Sequence, residues 1–151
     1  INTSAIETPN LITEGARKFG SQCIVVSIDA KKENNSYKVY SNSGQKRTNL
    51  NPVEWAIEVE KRGAGEILLN SIDHEGTGIG YNLSLIKAIT DAVSIPVVAA
   101  GGVGKIEDVS LAVTESNASA VAIGSLFHYT HITPNMVKDE LKRCNINVRI
   151  W

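Results

Sequence analysis

An aliphatic run, CIVVSID, ends at Asp29, and a second, EILLNSID, begins at Glu66 and ends at Asp73, ahead of the loop HEGTGIGY. A carboxylate at the end of an apolar strand stands where burial and a neighbouring pocket set its proton affinity, so Asp29 suits a general acid or base. The same residue type also caps loops by accepting backbone N–H groups, and at this level both roles stay open. Gly76, Gly101, Gly102 and Gly124, with Ser125 directly after the last, fall at the ends of successive apolar runs. One glycine there means only a tight turn. Several at neighbouring strand ends let backbone N–H groups approach an anion closely, and Ser125 adds a hydroxyl, which together read as a phosphate site. Glu66 opens its run and, by the two-residue period of a strand, shares a face with Leu68 and Asn70. That strand offers a carboxylate at one end and an amide at the other.

Four apolar runs must carry these residues: CIVVSID, EILLNSID, IPVVAAGG from Ile95 and AVAIGSLF from Ala120. Each is β-branched or aliphatic and bounded by Gly, Pro or polar residues, the pattern of parallel strands covered on both faces. Helical patterns lie before and between them. NPVEWAIEVEKRGAG has Asn51 and Pro52 at the cap and first-turn positions and stops at Gly63. NLSLIKAITDAV, KIEDVSLAVTES and TPNLITEGARKFG supply others, and a last helix starts near Pro134. After the first strand, KKENNSYKVYSNSGQKRTN predicts a hairpin, with a turn at Glu33 to Asn35 and a strand from Tyr37 to Tyr40. A long loop at this end of a strand covers substrate, which makes Ser43 a candidate contact. The repeated Ser-Ile-Asp, Ser27 to Asp29 and Ser71 to Asp73, reads as one strand-end position used in successive βα units.

Such an array belongs to an α/β fold, either a doubly wound sheet or a (βα)₈ TIM barrel. A doubly wound sheet carries a glycine fingerprint after its first strand, and CIVVSIDAKKENN has no glycine. In a barrel the chemistry sits at the C-terminal end of every strand, and every run here ends in polar or glycine residues. Four strands are too few to close a barrel, and the chain begins with Ile1. The expectation is that residues 1–151 are the second half of a barrel, strands five to eight with their helices, and that the first half lies outside this sequence.

The chain has 15 basic and 16 acidic residues, with no long run of one sign. Nothing in it reads as a nucleic-acid or anionic-membrane surface. No run is long enough to span a bilayer, and near-zero mean hydropathy fits a soluble protein. Cys23 and Cys144 show no metal or disulfide spacing, so the expected setting is the reducing cytoplasm, with Cys23 packed at a strand start and Cys144 in the terminal helix. His128 and His131 lack companion ligands, His74 in the active-end loop is either a substrate contact or, more commonly for such a residue, a solvated loop histidine, and Trp55 reads as core. No metal or cofactor is expected.

FGSQCIVVSIDAK, VEKRGAGEILLNSIDHEGTGIGY, VVAAGGVGK and GSLFHY, in this order and spacing, resemble the second half of the cyclase subunit of imidazole glycerol phosphate synthase. The likeness starts in INTSAIE, similar to the end of that family's fourth strand. It implies a (βα)₈ barrel of histidine biosynthesis. Ammonia from a partner glutaminase would pass through the barrel to a bisphosphorylated ribulosyl formimino carboxamide ribotide, giving imidazole glycerol phosphate and an aminoimidazole carboxamide ribotide. The resemblance further implies that Asp29 is a general acid/base, its companion aspartate lying in the first half, and that Glu66 belongs to a charged gate admitting ammonia. A second phosphate site falls on Asn2 and Thr3. The isolated chain is expected to lack complete catalytic machinery.

Three positions depart from that pattern: Glu75 stands where the family has Asp, Ala100 where it often has Ser, and Asn70 where it has Thr. All touch the substrate end. They leave room for two other readings, a paralogous barrel delivering ammonia to amidate a surface sugar, or a non-catalytic half-barrel that assembles with a partner or itself.

Overall fold

The computed structural model describes residues 1–149. Its order is α1 (Thr3–Glu7), α2 (Asn10–Phe19), a 3₁₀ turn (Ser21–Cys23), β1 (Val25–Glu33), β2 (Ser36–Ser41), β3 (Lys46–Arg47), α3 (Pro52–Lys61), β4 (Glu66–Ser71), α4 (Leu83–Thr90), β5 (Val97–Ala100), α5 (Ile106–Thr114), β6 (Ala120–Val121), α6 (Ser125–Tyr129) and α7 (Pro134–Arg143). The helices start where side chains can take up their first N–H groups. Asn51 Oδ1 accepts from Val53 and Glu54 ahead of α3, and Asn82 Oδ1 accepts from Leu85 at α4. Asp108, inside the first turn of α5, reaches back to the Gly104 and Lys105 N–H groups at 2.9 and 3.0 Å.

The sheet runs β3-β2-β1-β4-β5-β6, with β1, β4, β5 and β6 parallel and the β1–β2–β3 hairpin antiparallel at one edge. The parallel strands lie in chain order with no reversal, as in a segment of barrel wall and unlike a doubly wound sheet. Burial alternates along them. Val26, Ile28, Ala30, Ile67, Leu69, Val97 and Ala99 are buried in one core with Ile12, Trp55, Val59, Leu85, Ile89 and Val109 from the helices. Ser27, Asp29, Leu68, Asn70, Val98 and Ala100 point the other way and are half-buried. The expectation of strands covered on both faces is therefore corrected: in this chain the helices cover one face and the other is open.

Several boundaries differ from the sequence reading. β1 begins two residues later than CIVVSID and continues to Glu33, so the hairpin turn is Asn34 and Asn35, with Asn34 at φ 52°. Cys23 sits in the 3₁₀ turn and is exposed, as is Cys144, so neither packs in the core. AVAIGSLF is strand only at Ala120 and Val121, because the chain turns at Gly124 into α6. The two Ser-Ile-Asp copies are not equivalent positions. Asp29 pairs with Asn70 across the ladder and Ala30 with Ser71, so the second copy lies three residues further along. Ser71 then faces the core, and Asp73, out in the loop, accepts the Lys32 N–H at 2.5 Å.

Ile1 runs beside β1 on the edge away from β4. Its terminal ammonium donates to the Val25 carbonyl at 2.7 Å and its carbonyl accepts from Ser27 N–H at 2.8 Å, the placement of a parallel neighbour.

Candidate active site

The C-terminal ends of the parallel strands form a rim with two adjoining hollows. The first, about 360 Å³, is lined by Asp29, Ser43, Gly44, Asn70, Ile72 and Glu75. The second, about 280 Å³, is lined by Ala100 to Val103, Ala122 to Ser125, and Glu75 again. Glu75 is thus the wall between them.

Asp29 is half-buried on the open face, directly between Tyr40 of β2 and Asn70 of β4. Its carboxylate accepts a hydrogen bond from Ser27 Oγ at 3.5 Å and lies within reach of the Asn70 amide. Burial pushes its pKa up from the ordinary carboxylate value, and these two donors offset part of the rise. Among the described residues no backbone N–H binds this carboxylate. That is the difference between the two aspartates: Asp73 caps a backbone group, and Asp29 faces a pocket with raised proton affinity, as a general acid or base requires.

The hairpin carries Ser43 to the first hollow on a turn closed by Gln45 N–H to the Asn42 carbonyl at 3.2 Å. Asn42, Ser43 and Gly44 all have left-handed φ, at 53°, 55° and 77°. Thr3 Oγ1 accepts the Asn42 N–H at 2.9 Å, and Asn2 Nδ2 donates to the Ser27 carbonyl at 3.0 Å. Asn2 and Thr3 therefore fasten the hairpin turn and β1 to one another, beside the first hollow and away from the glycine-lined one. A cluster that the sequence reading did not single out braces the same hairpin. Tyr40 donates its hydroxyl to Glu33 at 2.7 Å, and Arg47 Nε binds both Glu33 oxygens at 2.9 Å. The Tyr40 hydroxyl, then the Arg47 guanidinium, hold the Glu33 carboxyl below its usual range. Alternation from Asp29 is the signal that would have found it, since Lys31 and Glu33 follow on the same face.

The glycines of the second hollow play unequal parts. At Gly102, with φ 105°, an added Cβ would stand 2.3 Å from the Gly80 carbonyl oxygen and 2.7 Å from the His74 Cβ. The Gly102 carbonyl in turn accepts the Gly80 N–H at 2.8 Å, so Gly102 joins the two loops. Gly124, at φ −119°, has open space where a Cβ would be and lines the hollow itself. Ser125 follows it in the first turn of α6, where N–H groups have no helical acceptor. Gly76 is exposed, with φ 72°, and stands outside both linings. His74 is not freely solvated, because its Nδ1 lies 2.7 Å from the Gly80 carbonyl oxygen. His128 and His131 are exposed, and among the described residues no group of side chains has the arrangement of a metal site.

Glu66 lies at the opposite end of the sheet. It is half-buried, pairs with Val25 across the ladder, and shares the open face with Leu68 and Asn70 as its spacing predicts.

The family model described as histidine biosynthesis protein matches residues 1–133. The chain belongs to that family. Among its relatives, the HisF subunit of imidazole glycerol phosphate synthase from a Hydrogenobaculum species is 51% identical over 151 residues, covering 99% of this chain and 60% of the relative. The HisF subunit from Dehalococcoides mccartyi is 47% identical over 150 residues, covering 99% of this chain and 59% of the relative. The chain thus spans about three fifths of the length of the curated relatives it matches. The likeness read from the motifs holds at the level of the family, and the α/β fold with its run of parallel strands fits the TIM-barrel class. Among the described residues no helix is long and apolar enough to cross a membrane.

Proposed function

We propose that this chain is the second half, strands five to eight, of the (βα)₈ cyclase of imidazole glycerol phosphate synthase. The observation that carries the reading is the single rim on which Asp29, Ser43, Asn70 and Glu75 meet one hollow while Gly101, Gly102, Gly124 and Ser125 meet the next. An acid/base carboxylate beside an anion pocket is what cyclisation of a phosphorylated substrate requires.

In this reading the glycine hollow binds one phosphate through backbone N–H groups and the Ser125 hydroxyl. The second phosphate binds near Asn2 and Thr3, on the far side of β1. Ammonia from a partner glutaminase enters past Glu66 and travels along the open face past Leu68 to Asn70, which in the closed barrel is interior. Asp29 moves protons as ammonia adds and the imidazole ring closes, its proton affinity raised by burial. The parallel placement of Ile1 beside β1 supports the assignment of that edge to a fourth strand. This reading calls for no metal or cofactor, and a cytoplasmic setting suits the two free, exposed cysteines. The test is the reaction itself: the complete barrel, supplied with the ribulosyl substrate and an ammonium salt, forms imidazole glycerol phosphate, and absence of that product rejects the proposal.

A second reading has one observation in its favour. Asn70 and Ala100 are ladder partners, and Asn70 and Glu75 converge on the next residue, Gly101, so the three departures from the family pattern form one patch. Such a patch would suit a different ammonia acceptor, such as a surface sugar. Turnover of that acceptor in place of the ribulosyl compound would favour it.

A further inference from the structure

Asn70 carries a buried polar atom that has no partner, its Oδ1. A buried carbonyl without a donor is costly and calls for an explanation. This oxygen lies 2.6 Å from where a Cβ on Gly101 would stand, and the Ser71 carbonyl oxygen and Glu75 Oε2 lie 3.0 and 3.2 Å from the same point. Three acceptors converge on one glycine, with no donor among them. On its other side the Asn70 amide reaches Asp29, its ladder partner.

The two ends of an amide are equal in shape and opposite in hydrogen bonding. With Asp29 ionised, Nδ2 must face the carboxylate, which leaves Oδ1 against the other acceptors. A protonated Asp29 is itself a donor. Turning the amide end for end then lets Oδ1 accept from the carboxyl O–H and presents Nδ2 to Glu75, the Ser71 carbonyl being already engaged by the His74 and Glu75 N–H groups at 3.1 and 3.0 Å. The orphaned atom of one protonation state becomes a bonded atom of the other.

We propose that Asn70 is a positioning residue that exchanges the ends of its amide as Asp29 gains or loses its proton, holding the carboxylate in one state and linking the carboxylic acid to Glu75 in the other. The only proton that moves is the one on Asp29. The inference rests on the reading of Asp29 as an acid/base group, to which it adds a device that keeps both forms hydrogen-bonded within one turnover. An aliphatic residue at this position can serve neither form, whereas a threonine would serve them by rotating one hydroxyl, without the exchange of ends that marks an amide.

The other charged groups nearby are engaged elsewhere: in the loop after β4, Asp73 accepts the Lys32 N–H and His74 Nδ1 lies 2.7 Å from the Gly80 carbonyl oxygen. On β1, Lys31 lies over the Tyr40 ring, 5.9 Å from its centroid. Glu33 is engaged by Tyr40 and Arg47, and Lys38 of β2 turns to the Asn49 carbonyl. On the other side of Asn70, β5 presents only Val98 and Ala100.

Nuclear magnetic resonance on the labelled full chain tests the proposal. The Asn70 side-chain amide is assigned by its loss in Asn70→Thr, and Asp29 is followed through its carboxyl carbon. The expected result is a nuclear Overhauser contact from the Asn70 amide protons to the Gly101 α-protons that is weak while Asp29 is ionised and strengthens with the same midpoint as Asp29 protonation. It should keep that coupling in Glu75→Gln, whose side-chain oxygen still accepts, and be strong at every pH in Asp29→Ala. A contact that does not change across the Asp29 titration overturns the inference, as does one whose midpoint departs from that of Asp29 in Glu75→Gln. The catalytic reading fails separately: if Asp29→Asn retains turnover while the amide exchange is observed, Asp29 is coupled to Asn70 without being the acid/base.

Discussion

Replacing Gly102 and Gly124 each by alanine separates the two uses of glycine on this rim. At Gly102 the new methyl meets the Gly80 carbonyl oxygen at 2.3 Å and the His74 Cβ at 2.7 Å, and the backbone stays at φ 105°. Holding an L-residue in left-handed backbone costs about 1–2 kcal/mol. The overlap with a backbone oxygen forces the loops apart and endangers the Gly80 to Gly102 hydrogen bond, a further loss of about 1 kcal/mol. Gly102→Ala is therefore expected to lose roughly 3 kcal/mol of stability, a fall of roughly 1 M or more in urea midpoint. Gly124→Ala has an allowed φ of −119° and open space for its methyl, so its midpoint should stay within experimental error of the parent. That methyl projects at the glycine-lined hollow, where it should weaken inorganic phosphate binding at least tenfold, or about 1.4 kcal/mol, in titration calorimetry. Equal midpoints for Gly102→Ala and the parent would refute the loop-junction argument. Unchanged phosphate affinity in a folded Gly124→Ala would refute the anion site. Substitution at Gly102 alone cannot make the second point, because any loss of binding would follow from the displaced loops.

The open face should drive self-association of the isolated chain, since Val25 is 36% exposed at one end of β1 and Leu68 and Val98 are only half-buried. Sedimentation should show a dimer or larger species that dissociates on truncating Leu68, and a stable monomer with no dye-binding apolar surface would contradict this. Asp29 has its pKa raised by burial, so its ionised form costs stability at neutral pH, and that cost fades as pH falls towards and through the raised folded value. Asp29→Asn should therefore melt no lower than the parent at pH 7, with any advantage vanishing in acid; a lower melting temperature at pH 7 would make Asp29 a structural cap. Glu33 has the opposite sign: its contribution is present above its ordinary pKa of 4.5 and lost as pH falls through the depressed folded value. Tyr40→Phe should remove most of that dependence, read as hydrogen exchange in the hairpin amides, and an unchanged acid profile would rule out the brace.

The strand and helix order was legible because each apolar run ends in glycine or a polar residue and because Asn51, Pro52 and Gly63 mark the limits of α3. The open face was not legible from local composition. Val25, Leu68 and Val98 look as apolar as the residues that face the helices, and only the ladder shows that the alternate positions lack a covering layer. Repetition misled in one place. Ser-Ile-Asp recurs, but register is set by pairing across the sheet, and pairing puts Asn70 where Asp73 was expected to match Asp29. Asp29, Asn70 and Glu75 were chosen from strand-end position and family likeness, and the rim brings them together. The Glu33, Tyr40 and Arg47 cluster escaped because it forms through cross-strand neighbours, whose pairing depends on the exact turn at Asn34.

The most direct test of the cyclase proposal is turnover by Asp29→Asn in the complete barrel with ammonium salt supplied, which bypasses the glutaminase and any gate at Glu66. An asparagine keeps the shape beside Ser27 and Asn70 while removing the ability to take up and release a proton. The account predicts that turnover falls by roughly 10² or more with little change in substrate affinity. Near-normal turnover by a folded Asp29→Asn enzyme would contradict it.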